Sequence, residues 1–330
     1  MSAPSYSFVV PIFRDAGLAQ AFCAEFERVF QAYLGTEDIT DRVELIFVND
    51  DGTLATADVL RGVCERHPFA RLLNLSRNFG QHIALSCGYD HARGDFVGML
   101  NVDMEDPPDQ IPLLLDALAD GTCDIALGVR EERRSPWLER ATSRGFTWFL
   151  NKATGYDMPL NTATLRVMNR RFVDAYRSLT ESSRYLPGLE MWLGFQRAYV
   201  PIRHARRQEG KSSYAFGKRL RMAFEAVISF SDLPLRFTVA LGGIVALIGF
   251  LLAAYLVVGK LFYVQFQAGY TSTMTATVLI GGVLISVIGL ASLYIGRILS
   301  EVQGRPVYVI RDSFNISDHD LHPAAHDCRD

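Results

Sequence analysis

Apolar positions follow two rhythms along the first part of the chain. Short, nearly continuous runs rich in β-branched and aromatic residues occur at 7–13, 44–49, 71–75 and 95–102, and each predicts a strand. Between them, residues 18–33, 56–66 and 81–91 carry apolar side chains at helical spacing. A fifth strand is expected at 124–129. Strand and helix in alternation predict an α/β domain with a mostly parallel, Rossmann-like sheet covered on both faces.

The later part of the chain changes character. Residues 237–258 form an uncharged apolar run long enough to cross a bilayer, and 275–295 form a second. Together they explain why 49% of the residues are hydrophobic and the mean hydropathy is +0.12. Basic residues crowd the stretch before the first run (Arg203, Arg206, Arg207, Lys211, Lys218, Arg219, Arg221, Arg236) and follow the second (Arg297, Arg305, Arg311). Only Lys260 lies between the two runs. This asymmetry predicts a two-helix hairpin with both termini in the cytoplasm. Glycines 242, 243, 249, 281, 282 and 289 would let these helices pack closely, within one chain or between chains. Residues 213–232 place Phe216, Leu220, Phe224 and Val227 on one helical face, with Lys218, Arg221 and Glu225 elsewhere, as expected of a segment at the headgroup layer. After Arg311 the chain turns polar, and an irregular tail is expected there. The organisation expected is thus a domain over 1–210, a juxtamembrane amphipathic segment over 211–236, two transmembrane helices over 237–296 and a cytoplasmic tail over 297–330.

In open α/β sheets ligands bind beyond the carboxyl ends of the strands. Here those ends read PIFRD (11–15), NDDGT (49–53), SRNFGQH (76–82) and NVDMED (101–106), four polar segments on one rim. The glycine fingerprint of dinucleotide folds, the Walker lysine, the H-E-x-x-H pair and the G-x-S-x-G elbow are all absent, which removes support for a dehydrogenase, a P-loop NTPase, a zincin and an α/β-hydrolase. The five cysteines lack metal-binding or disulfide spacing. A near-neutral net charge of -3 gives no sign of a nucleic-acid partner.

These motifs resemble those of the membrane-anchored polyisoprenyl-phosphate glycosyltransferases of family 2. VVPIFRD, LSRNFGQHIALSCGYDHARGD, DMEDPP, RQEGKSSYAF and YIGRILSEVQGRPVY carry the likeness over almost the whole chain. The resemblance implies a GT-A catalytic domain followed by amphipathic interface helices and a two-helix transmembrane hairpin. It implies a nucleotide-sugar donor, a UDP-sugar by likeness to bacterial two-span members, and a polyprenyl phosphate acceptor such as undecaprenyl phosphate. It also implies a place in the bacterial cytoplasmic membrane, and assembly of copies through the hairpin.

Carried over by position, Pro11, Asp15, Asp50 and Asp51 line the nucleotide pocket, and Arg77, Asn78 and Gln81 lie at the donor-side rim. NVDMEDPP stands where the family has D-A-D-L-Q-D-P-P. Asn101 therefore replaces the first aspartate and is expected on the nucleotide sugar as a neutral oxygen or hydrogen-bond donor, and Asp103 and Glu105 become the expected ligands of a divalent cation, Mg²⁺ or Mn²⁺. Alternation along an extended backbone would put Asn101, Asp103 and Glu105 on one face. Thr164 stands where an aspartate is usual, with Arg166 retained two residues on. Asp103, Arg130 and Arg166 are the expected catalytic set. Arg203, Arg206, Arg207, Lys211 and Ser212 are expected at the lipid phosphate, where guanidinium groups make bidentate contacts. Two rival readings stand beside this one. A processive polysaccharide synthase would need the Q-x-x-R-W segment, which is missing, and more than two spans. A catalytically weakened, binding or scaffold relative is motivated by Asn101 and Thr164.

Overall fold

The computed structural model describes residues 3, 5–130, 162–182, 184–203, 242, 244, 247, 251 and 269–316. The chain divides into two compact units, Met1–Ser213 with Pro306–Asp330, and Tyr214–Arg305.

In the first unit, strands β1 (Tyr6–Ile12), β2 (Val43–Asn49), β3 (Ala70–Leu75) and β4 (Phe96–Met99) alternate with helices α1 (Ala19–Leu34), α2 (Leu54–Arg66) and α3 (Gln81–His91). The chain continues through α4 (Ile111–Asp116), β5 (Ile125–Arg130), β6 (Thr162–Asn169), α5 (Arg170–Arg177), α6 (Leu186–Trp192) and β7 (Arg197–Ile202). After the second unit it returns as β8 (Ile310–Phe314). Among the described residues the strand order is β7-β5-β6-β4-β1-β2-β3-β8. β1 pairs parallel with β2 and β4, β2 with β3, and β5 with β7. β6 runs antiparallel between β4 and β5, and β8 runs antiparallel along β3.

The core explains the strand composition. Every residue of β2 is buried, as strands covered on both faces require. Phe22, Phe26 and Phe30 recur every fourth residue on α1 and all face inward. The Phe26 ring lies tilted at 4.7 Å from Phe30 and edge-on at 5.4 Å from Phe8 of β1, so one aromatic seam joins helix to sheet. The Thr53 hydroxyl accepts from the Thr56 N–H and starts α2.

The α/β, mostly parallel sheet agrees with the expectation, with three differences. First, β4 stops at Met99 rather than reaching residue 102. Leu100 and Val102 are apolar because they are buried, at 0% and 4% exposure, and not because the backbone stays extended. Second, β6, a strand with no counterpart among those expected, lies between β4 and β5. Third, the expected tail after Arg311 begins later, since Asp312, Ser313 and Phe314 pair with β3. Residues 317–330, with His319, His322 and His326, lie outside the described residues.

In the second unit, α7 (Tyr270–Val302) contains the expected run 275–295. Its segment Ile280–Val302 is long and apolar enough to cross a membrane, with a mean hydropathy of 1.9. Most of the first expected span, and the amphipathic segment before it, lie outside the described residues; Gly242, Ile244, Leu247 and Leu251 of that span are helical.

Candidate active site

The carboxyl ends of β1, β2, β3 and β4 bring the polar segments to one rim. Pro11 is the penultimate residue of β1, opposite Val48. Asp15 is exposed, and its carbonyl accepts from the Leu18 N–H at 3.0 Å.

The β2 and β3 ends are locked together by Asp50. Its carboxylate is 2% exposed and accepts from the Phe79 N–H at 2.7 Å, the Gly80 N–H at 2.9 Å and the Asn78 amide at 3.0 Å. Burial pushes this carboxyl above the usual aspartate range, against the pull of the two backbone N–H groups. Asp50 therefore faces into the RNFG loop. Asp51 accepts from the Thr53 and Thr56 hydroxyls, both at 2.7 Å, and these hold its carboxyl below the usual range. Arg77 is exposed and lies over the Phe79 ring at 4.0 Å.

The second half of the site is a chain of side-chain hydrogen bonds. Gln81, the first residue of α3, donates to Asn101 Oδ1 at 3.3 Å, and Asn101 donates to the Thr164 hydroxyl at 3.2 Å. The Thr164 hydroxyl donates to Asp106 Oδ2 at 2.7 Å, and the Thr164 N–H donates to the same oxygen at 3.1 Å. Arg130, the last residue of β5, closes on both oxygens of Asp106 at 3.0 Å. The same guanidinium lies 3.7 Å from Glu105. Burial alone would raise the Asp106 carboxyl; Arg130 and Thr164 together hold it below its usual range. Asn101 and Thr164, both at positions where the resemblance leads one to expect aspartate, thus touch each other.

Asp103 and Glu105 do not share the face of an extended strand, which corrects the geometry expected from alternation. The backbone turns: Asp103 Oδ1 accepts from the Glu105 N–H at 3.2 Å, and Met104 between them has φ 53°. Both carboxylates are half-buried on this turn. Among the described residues no group of three or more His, Cys, Asp or Glu side chains is arranged to hold a metal.

Arg166 lies in β6, buried beneath the rim. It is paired at 2.6 Å with both oxygens of Glu190 from α6, and its Nε donates to the Thr164 carbonyl at 3.1 Å. The Arg166 charge and the burial around it bear on His82, which burial first and Arg166 second bring down to about 4, so its imidazole is neutral. Arg203 pairs with Asp109 at 2.8 Å and is largely exposed. Arg206, Arg207, Lys211 and Ser212 lie outside the described residues. Asp106 and Glu190 are the site residues that sequence reasoning missed. Asp106 stood in plain view among acidic neighbours, while nothing local marks Glu190.

The fold and the site together define an α/β protein whose rim gathers carboxylates beside a clamped guanidinium, at the end of the sheet where such proteins bind their ligands. The chain belongs to glycosyl transferase family 2, which it matches over residues 7–177. It is 33% identical over 308 residues to the SfII prophage-derived bactoprenol glucosyl transferase of Shigella flexneri, covering 93% of this chain and 97% of that one. It is 29% identical to the undecaprenyl-phosphate 4-deoxy-4-formamido-L-arabinose transferase of Edwardsiella ictaluri, covering 93% of each. Among solved structures it is similar to the mannosyltransferase PcManGT from Pyrobaculum calidifontis in complex with GDP-Man and Mn²⁺, at 17% identity and a TM-score of 0.46, covering 93% of this chain and 89% of that one.

Proposed function

We propose that this protein transfers a sugar from a nucleotide sugar, a UDP-sugar, to a polyprenyl phosphate at the cytoplasmic face of a bacterial inner membrane. The observation that carries this reading is the Arg130 guanidinium, held by Asp106 and directed beside Glu105 at the carboxyl edge of the sheet. A fixed guanidinium next to carboxylates suits a diphosphate that arrives with a cation. The GT-A assignment, the membrane hairpin with both termini cytoplasmic, and assembly of copies through that hairpin belong to the same proposal.

The donor set on the turn fits a hard divalent cation, Mg²⁺ or Mn²⁺, which takes one or two carboxylates along with phosphate and water. Asp103 and Glu105 would hold it, while Asp106 is committed to Arg130 and Thr164. Bound there, the ion would offset charge on a departing diphosphate. Arg130 would bind the same diphosphate from the protein side. Pro11, Asp15 and Asp51 would line the base and ribose, with Arg77, Asn78 and Gln81 along the donor rim. Asp50 orders that rim by holding Asn78, Phe79 and Gly80. Arg166 acts through Thr164, whose carbonyl it holds, and is a positioning residue. Arg203, Arg206, Arg207, Lys211 and Ser212 would receive the lipid phosphate.

In the reaction a lipid phosphate oxygen bonds to the anomeric carbon as the bond from that carbon to the diphosphate oxygen breaks, inverting the centre. A phosphate monoester is already anionic at neutral pH, so no strong general base is needed. Neutral Asn101 and Thr164 are compatible with that chemistry.

The test is direct. The full-length protein in detergent is given undecaprenyl phosphate and a panel of nucleotide sugars, with Mg²⁺, with Mn²⁺ or with chelator. Formation of one lipid-linked sugar supports the proposal, and loss of product with chelator supports the cation. Asp103→Ala should abolish turnover while leaving the unfolding transition in place. No product from any donor favours the scaffold reading, which the mutual Asn101–Thr164 contact would also suit; a polymer favours a synthase.

A further inference from the structure

The β2–α2 loop is held from two sides. On one side Asp50 binds the RNFG loop, as described above. Gly52 takes φ +73° and lies so close to the β3 loop that a Cβ there would stand 3.1 Å from Arg77 Cα. On the other side stands the C-terminal strand, contributed by sequence more than 230 residues away.

A ring of hydrogen bonds begins and ends on adjacent residues of this loop. The Asp51 N–H donates to Asn49 Oδ1 at 3.1 Å. The Asn49 amide donates to Asn74 Oδ1 at 2.8 Å, and the Asn74 amide to Asp312 Oδ1 at 2.5 Å. Arg311 Nε donates to Asp312 Oδ2 at 2.8 Å, and Arg311 Nη1 donates to the Gly52 carbonyl at 3.1 Å. Asn49 and Asn74 are both fully buried, so each amide needs both of these partners. The grip extends to the next loop, since the Ser76 N–H donates to the Val309 carbonyl at 2.9 Å. It also reaches α3, where the Tyr308 hydroxyl donates to Asp90 at 2.9 Å.

We propose that Arg311 and Asp312 are positioning residues for the nucleotide half of the site, fixing the Asp51–Gly52 backbone from the C-terminal strand. They touch neither sugar nor lipid phosphate. The inference rests on the reading of the β2–α2 loop as part of a nucleotide pocket. One guanidinium serves both the Asp312 carboxylate, through Nε, and the Gly52 carbonyl, through Nη1, a planar fork that a lysine ammonium does not reproduce.

The experiment compares wild type, Arg311→Ala, Arg311→Lys, Asp312→Ala and Asp312→Asn in the full-length protein. Donor KM should rise about tenfold in Arg311→Ala, as for the loss of one charge-assisted hydrogen bond. Arg311→Lys should shift in the same direction. The lipid-acceptor KM and kcat should stay within about twofold. Asp312→Asn keeps an oxygen for Asn74 but sets its NH₂ against Arg311 Nε, so it should recover only part of what Asp312→Ala loses. Hydrogen exchange supplies a readout that needs no substrate: amides at 49–53 should exchange faster in Arg311→Ala, with α1 unaltered. Unchanged exchange at 49–53, or a donor KM within twofold of an active wild type, overturns the inference and leaves the proposed function standing. A wild type that binds no nucleoside diphosphate overturns both. If Arg311→Ala loses the fold, Arg311→Lys carries the same comparison.

Discussion

Asp106→Asn changes one atom and tests whether the rim is built as described. In the wild type, Asp106 Oδ1 accepts from Arg130 Nε, and Oδ2 accepts from Arg130 Nη2, the Thr164 hydroxyl and the Thr164 N–H. An asparagine amide must set its NH₂ against one of these groups of donors, whichever way it is turned. The less damaging orientation loses one bond to Arg130 outright and weakens the other three by removing the charge. Hydrogen bonds to charged groups are worth about 1.5–3 kcal/mol, against about 0.5–1.5 for neutral pairs. Asp106 has 1% of its side chain exposed but Arg130 has 28%, so solvent recovers part of the loss. The expected cost is about 2–3 kcal/mol, or roughly 4–12 °C in Tm for a unit of this size. The sign of its pH dependence follows from the depressed carboxyl. The wild-type advantage should be full above the unfolded aspartate value of about 3.9 and shrink as pH falls through the folded one. Denaturant unfolding in detergent, at pH 7 and again near pH 3.5, measures both. A gap below about 1 kcal/mol at pH 7, or one that does not narrow in acid, would refute the reasoning.

Glu190→Gln strands the buried Arg166 charge, whose partner is 2.6 Å away, and should cost about 3–5 kcal/mol by denaturant titration. The double variant Arg166→Met/Glu190→Leu should recover most of that. Arg166→Met removes the cation that helps hold His82 near 4, so the imidazole should titrate higher when followed by NMR; no upward movement would detach His82 from Arg166. Thr164→Asp restores the family's usual residue and sets a second carboxylate against Asp106 Oδ2. Like charges raise a carboxyl, so this variant should be destabilised at pH 7 and recover as pH falls below the raised value toward the unfolded one of about 3.9, the reverse of the Asp106 dependence.

Much of the fold was legible because it is dictated locally. α3 runs over the expected residues 81–91, where a glycine with φ 100° precedes the helix and an extended Ala92 follows. β1, β2 and β3 fall within one residue of their expected bounds, since buried strands carry their own signal. The rim segments were legible for the same reason, as polar residues that interrupt apolar runs. What escaped is either non-local or set by backbone conformation. Period-two reasoning required an extended backbone through 101–105, and Met104, a residue with no special freedom, takes φ 53° instead. Asn101 meets Thr164 across 63 positions, and Asn74 meets Asp312 across 238. Neither partner has a neighbourhood that announces the other. The insertion of β6 between β4 and β5 is likewise a matter of sheet order, which alternating patterns leave open.

The strand order also sets a timetable for synthesis. β3 forms its edge pairing with β8, yet about 235 residues, α7 among them, must leave the ribosome between Leu75 and Ile310. At roughly 5–20 residues per second that interval is about 10–50 s. Throughout it, β3 presents an open row of amides and carbonyls, the kind of edge that recruits strands from other chains. The apolar helix therefore has to emerge before the sheet can be sealed. A chain stalled short of residue 310 would be left with the sheet edge uncovered, and aggregation would be its natural fate.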